Sequence, residues 1–139
     1  MDNNRALNYL ALGKKGRLVE LGEEPVGAVA RAVKARLVIV ASDASDHTWR
    51  RAKSFVAGTE QQCIRVPFTK EELGFVVGRT SLAIAAFTDA ALALAFVKAL
   101  PNVEKFKDVL EKLDLKAQKL RQRKDEAKAH QRNVRTGKK

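Results

Sequence analysis

Three aspartates and one histidine, Asp43, Asp46, Asp89 and His47, are the residues of this 139-residue chain with the most obvious capacity for chemistry. Carboxylates beside an imidazole could share a proton or hold a cation. Each aspartate, however, stands where an apolar run gives way to a helical pattern, and a carboxylate there caps the open amides of a helix start. The second histidine, His130, is far along the chain, so spacing builds no zinc or catalytic set around His47. Cys63 is the single cysteine, which excludes an internal disulfide and a cysteine zinc cluster. Beside Ile64 and Val66 it reads as a buried, inert thiol. No glycine-rich phosphate loop of the P-loop or Rossmann type occurs, and no nucleophile–base pair can be assembled. The expectation is a non-enzymatic protein with no cofactor and no metal.

Charge carries more information than these groups do. The formal net charge is +11. Residues 1–100 hold 14 Lys and Arg against 10 Asp and Glu, whereas residues 101–139 hold 13 against 6. The excess therefore gathers at the C-terminal end, where Arg121, Arg123, Lys124, Arg132 and Arg135 could meet a polyanion. If that end neutralises about five phosphates of a single strand, its log-log salt slope is near −3.5. Trp49 could stack on a base, but its spacing with Ala52 and Phe55 places it on the inner side of a helix.

The elements that must position these residues alternate in type. Helical spacing of Ala6, Leu7, Leu10 and Ala11 is followed by a short strand at 17–21. Gly22-Glu23-Glu24-Pro25 turns into a helix striped by Val26, Val29, Ala30 and Val33, with Pro25 and the acidic pair suited to its first turn. The run at 36–41 is unbroken and rich in β-branched residues, as a strand buried on both faces would be. Ser45 or Asp46 caps the next helix, and 63–66 forms another strand. Thr69 and Glu72 make a capping box, with Phe68 and Leu73 as its hydrophobic staple, on a short helix ending near Gly78. A strand at 81–87 leads to a helix capped at Thr88-Asp89 and stopped before Pro101. The order predicts an α/β fold, a three-layer α/β/α sandwich around a four-stranded mixed sheet. Domain boundaries are expected at 1–101 for this unit and 102–139 for a basic helical extension. In that extension Asn102 can cap a helix whose apolar seam runs from Val103 to Leu120; from Arg121 onward the seam is lost and a disordered end is expected.

The ordered pieces resemble a known family. A buried strand ending in Ala41-Ser42-Asp43-Ala44-Ser45-Asp46, then Thr69-Lys70-Glu71-Glu72-Leu73-Gly74 with Gly78, then a strand ending Phe87-Thr88-Asp89, are similar to the kink-turn RNA-binding ribosomal protein superfamily. That superfamily includes the archaeal L-seven-Ae and eukaryotic L-thirty-e proteins, and the spacing from Gly78 to Asp89 resembles its bacterial YlxQ-like branch. The resemblance spans about residues 5–100. It implies an α/β/α sandwich and a non-enzymatic, ribosome-associated or structured-RNA binder that grips a bent RNA helix with two neighbouring loops.

The first such loop corresponds to Gly22, Glu23, Glu24, Pro25 and Val26, continuing to Ala28. Where the family pattern has Asn, Glu and Lys, this chain has Glu24, Pro25 and Ala28. Glu24 only accepts hydrogen bonds and repels phosphate, Pro25 lacks an amide donor, and Ala28 is too short to reach RNA. Arg31, one turn further on, reads equally as a substitute cation or as a solvated charge on the polar face of the helix. The second loop corresponds to Gly78-Arg79-Thr80-Ser81-Leu82, where Arg79, Thr80 and Ser81 could meet phosphate and sugar. The resemblance therefore implies RNA binding with altered specificity. The alternative is a protein-interaction module, its RNA surface decayed, that binds a partner or itself through helix 103–120.

The start of the chain shows no signal pattern, and the apolar stretch from Leu82 to Leu100 is interrupted by Asp89, which is costly inside a membrane. No membrane partner and a cytoplasmic location are expected.

Overall fold

Continuous apolar runs end up at the centre of the sheet. The structure is a computed structural model that describes residues 3–135, with side chains described for residues 5–129. Its strands are β1 (Val19–Leu21), β2 (Leu37–Val40), β3 (Gln62–Arg65) and β4 (Ile84–Phe87), in the spatial order β1-β4-β2-β3. Every residue of the central strands β2 and β4 is buried, whereas the edge strands β1 and β3 are partly exposed. Burial on both faces is the physical demand that an unbroken run meets.

β2 and β3 are parallel, and β4 runs antiparallel to both β1 and β2. Val40 lies opposite Ile84 and Arg65, and Leu37 lies opposite Phe87 and Gln62. This register sorts the connections. One end of the sheet gathers the chain leaving β1, β2 and β3 and entering β4. The other end gathers the chain entering β2 and β3 and leaving β4.

The helices are α1 (Asn3–Lys15), α2 (Glu23–Arg31), α3 (Asp46–Val56), α4 (Lys70–Val76), α5 (Ala90–Lys98) and α6 (Lys107–Arg135), with a 3-10 turn over Val103–Phe106. α2 and α3 pack together on one face of the sheet; α1 and α5 pack on the other, with α4 against α1 and α6 against α5. The result is the expected three-layer sandwich. Phe87 of the sheet meets Phe96 of α5 with ring centroids 4.9 Å apart, a tilted aromatic contact at the heart of that layer.

Local capping is largely where the sequence places it. Ser45 Oγ accepts from the Thr48 amide at 3.1 Å. In the capping box, Thr69 Oγ1 accepts from Glu72 N at 3.1 Å and Glu72 Oε1 accepts from Thr69 N at 2.9 Å. Asp89 Oδ2 accepts from Leu92 N at 2.8 Å. Asp43 caps as well, but not its own neighbour: its Oδ1 accepts from Lys70 N, the first residue of α4, at 2.8 Å. Asp46 is the first residue of α3 rather than its cap.

Other expectations need correction. Ser81, Leu82 and Ala83 precede β4 instead of opening it, because the Leu82 amide donates to Lys70 O and so holds this segment against α4. Asn102 makes no side-chain cap; the chain turns through the 3-10 segment first, and Asn102 Oδ1 is buried without a hydrogen-bond partner among the described residues. The end expected to be disordered from Arg121 is helical as far as Arg135. Losing the apolar seam removes packing but not helicity, since Arg, Lys, Gln, Glu and Ala are all strong helix formers. The last residues, 136–139, lie outside the described residues. The seam of α6 itself folds back: Leu113 and Ala117 are buried, and Val109 and Leu110 pack half-buried against the core.

Candidate nucleic-acid interface

The end of the sheet where β1 finishes and β4 begins carries both loops singled out in the sequence. Gly22 adopts φ 96°, ψ 162°, a backbone state open to glycine and strained for other residues. Its amide donates to Ile84 O at 3.0 Å, tying the turn to the start of β4, and its carbonyl accepts from Val26 N at 3.1 Å to begin α2. Glu23, Glu24 and Pro25 are therefore the first helical turn and not a preceding loop. The second loop is held by equally tight contacts. Arg79 N donates to Gly74 O at 2.8 Å, and Gly78 takes φ 76° to end the helix. A Cβ on Gly74 would lie 2.8 Å from both Arg79 O and Ser81 N, so glycine is needed there for α4 to approach the loop.

The two loops meet. Arg79 Nη1 lies 3.7 Å from the point a Cβ on Gly22 would occupy, so this guanidinium spans from the second loop to the first. Arg79, Thr80 and Ser81 are exposed, as are Glu24 and Pro25. Val26 must be withdrawn from the contact set: it is fully buried on the inner face of α2, where its side chain cannot touch a ligand.

Two cations here escaped the sequence reading. Lys14 Nζ donates to Val77 O at 2.7 Å, placing an ammonium at the carbonyl end of α4 beside Gly78. Arg51 Nε lies 2.5 Å from Glu23 Oε1, and its guanidinium sits 5.3 Å from the Phe55 ring centroid. Both partners of that ion pair are well exposed, so it contributes little stability; its effect is to neutralise one of the two carboxylates that would repel phosphate. No short-range pattern announces either contact, because Lys14 and Val77 are 63 residues apart. Between α2 and α3 the Glu23–Arg51 pair borders an open groove of about 530 Å³, lined also by Glu24, Ala28 and Arg31 among others. Arg31 Nη1 lies 3.2 Å from the Cβ position of Gly27, so the substitute cation lies back along α2 into this groove.

The helix start offers few amides. Pro25 has none and Val26 N is bonded to Gly22 O, which leaves those of Glu23 and Glu24 for an anion. The surface can thus hold phosphates through Lys14, Arg31 and Arg79, with little capacity for reading base edges.

The remaining candidates are dispersed. Arg121, Arg123 and Lys124 are all exposed on α6, and Arg123 also lines a groove at the opposite end of the sheet. The backbone of Arg132 and Arg135 is helical; their side chains lie outside the described residues. Trp49 faces Arg65 and Lys53, at 5.0 and 5.3 Å from its ring centroid, so cations occupy the ring face that base stacking would need. Among the described residues no group of three or more His, Cys, Asp or Glu is placed to hold a metal. Burial pushes the Cys63 thiol up to about 12, against the opposing charge of Lys53. Among the described residues no helix is long and apolar enough to cross a membrane.

Comparison with known proteins places this architecture. No family model and no curated protein sequence matches the chain. Solved structures do match: a protein of unknown function from Bacillus halodurans aligns at TM-score 0.63 and 23% identity, over 68% of this chain and 95% of that one. The Giardia lamblia 15.5kD RNA binding protein aligns at TM-score 0.55 and 19% identity, over 78% of this chain and 89% of that one. At these identities the likeness is one of fold.

Proposed function

We propose that this protein binds structured RNA and is not an enzyme, with the paired loops at Gly22–Ala28 and Gly78–Ser81 as its recognition face. The observation that carries the reading is the convergence of Arg79 on Gly22, which joins two segments far apart in sequence into one cation-bearing surface. A solved RNA-binding protein of the same fold supports it. Within this reading the partner is a kinked or otherwise bent RNA, of the kind found in ribosomes and other ribonucleoproteins, in the cytoplasm. Lys14, Arg31 and Arg79 position the sugar–phosphate backbone, while Glu24, Pro25 and Ala28 leave base recognition weaker than the family pattern implies.

The competing reading, a partner-binding helix at 103–120, has less to stand on. Its seam residues Leu113 and Ala117 are buried against the body of the protein, so a partner would have to displace α5.

The test is a titration of the full chain and an Arg79→Gln variant with two labelled RNAs of equal length, one containing a kink-turn and one a plain duplex. The expected result is a preference for the kinked RNA of more than about tenfold, equivalent to about 1.4 kcal/mol, which the variant loses. Equal binding of both RNAs, unaffected by Arg79→Gln, overturns the proposal.

A further inference from the structure

At the far end of the sheet, a groove of about 850 Å³ runs between α6 and the chain entering β2 and β3. One wall is a row of cations on α6: Lys112, Lys116, Lys119 and Arg123. Their i, i+4, i+7, i+11 spacing keeps them on one side of the helix, with axial steps of about 6, 4.5 and 6 Å. Arg36 adds a fifth cation, and its Nε is buried with no hydrogen-bond partner among the described residues. Among the described residues Glu60 is the one carboxylate in the lining.

The floor is rigid. Gln61, buried, accepts from Ala35 N at 2.9 Å and donates to Ala30 O at 3.2 Å and Thr59 Oγ1 at 3.1 Å, which locks the β3 entry to the β2 entry. Gln62 Nε2 is engaged by Glu60 O at 2.7 Å. With both glutamines occupied, the groove presents mainly cations, and few neutral amide groups are left free in its floor. Val33 and Leu115, 54% and 57% exposed, add apolar surface at its margin, and Val33 holds a positive φ of 56°, an outlier for a β-branched residue.

We propose that this groove is a second RNA-binding surface, a track for the sugar–phosphate backbone of a single-stranded RNA segment. The cation steps along α6 resemble the phosphate-to-phosphate step of an extended strand. A groove walled by one helix admits a single strand more readily than a duplex. Contacts confined to phosphate and sugar make the track indifferent to sequence. The inference rests on RNA being the partner, yet it uses none of the residues at the loop end, so the two surfaces are separable by experiment.

The test uses the full chain, a K112Q/K116Q/K119Q/R123Q variant, Arg79→Gln and Glu60→Gln, each titrated with an unstructured oligouridine between 50 and 200 mM salt. Glutamine preserves helix propensity, and far-UV circular dichroism checks the helix content. Neutralising four phosphate contacts is expected to flatten the log-log salt slope by about 3, at roughly 0.7 per contact, and to weaken binding at low salt more than tenfold. Arg79→Gln, which removes one cation at the other end of the sheet, is expected to weaken oligouridine binding far less than the fourfold variant does. Glu60→Gln is expected to tighten it severalfold, a gain that misfolding cannot produce. An unchanged slope in the fourfold variant overturns the inference, as does displacement of oligouridine by polyglutamate as readily as by unlabelled RNA. Binding of the kinked RNA without oligouridine sinks the groove and spares the loop end; oligouridine binding with no preference for the kink does the reverse.

Discussion

The two ends of the sheet are built from opposite materials. At the loop end, glycines and a proline shape two close turns, and cations are interleaved with Glu23 and Glu24. At the groove end, five cations face a single carboxylate, and the shape comes from one helix laid against two strand entries. The loop end therefore relies on geometry, with Arg79 reaching Gly22 and Gly74 admitting the second loop. The groove end relies on accumulated charge.

The comparison breaks most severely if α6 is detached. Leu113 is buried in the common core, so Leu113→Ala is expected to cost about 2–5 kcal/mol in chemical denaturation. Oligouridine binding should fall with it while kinked-RNA binding survives in the folded fraction. Gly74→Val does the converse. Its side chain would press on the Arg79 and Ser81 backbone, with an expected cost of about 1–3 kcal/mol and selective loss of kinked-RNA preference. Equal damage to both binding modes by either variant would mean the ends are not independent.

Smaller changes sharpen the contrast. Val33→Gly relieves a left-handed β-branched residue and is expected to raise stability by about 1 kcal/mol, read from the denaturation midpoint, with little change in RNA binding. Glu24→Lys is expected to strengthen kinked-RNA binding severalfold at 50 mM salt and less at 200 mM, because the exposed site is screened. Oligouridine binding should be unaffected.

A last prediction concerns the sheet between the two ends. Burial raises the Cys63 thiol from 9.0 to about 12, so the unfolded chain loses this proton before the folded one does. Its contribution to stability is complete below pH 9 and is lost as pH rises towards 12. Cys63→Ala is expected to give a shallower decline of stability over that range than the unchanged chain, measured by urea denaturation. Alkylation of Cys63 at pH 8 should be slow, since the thiolate is the reactive form.

Much of the frame was legible in the residues themselves. The apolar runs at Leu37–Val40 and Ile84–Phe87 announced the central strands because burial on both faces leaves no room for alternation. The capping box at Thr69 and Glu72 was readable because its bonds close within three residues. The stretch from Arg121 to Arg135 is helical against expectation, because strong helix propensity holds a helix even where no apolar seam marks it. Asn102 shows the reverse error: a residue suited to capping is not a cap when the chain turns through a tighter helix first.

What the sequence determined by itself was the order of elements, their caps, and the uneven distribution of charge, all of which depend on neighbours a few residues apart. Which charges act together was decided only by tertiary structure. Lys14 meets Val77 O, Arg51 meets Glu23, and Arg79 reaches Gly22 because the antiparallel placement of β4 brings distant turns to one end. Lys112 to Arg123 face Arg36 across a groove because burial of Leu113 orients α6. Local patterns encode local bonds. The sites depend on strand order and on which helix face is buried, and neither is written in the spacing of the residues that form them.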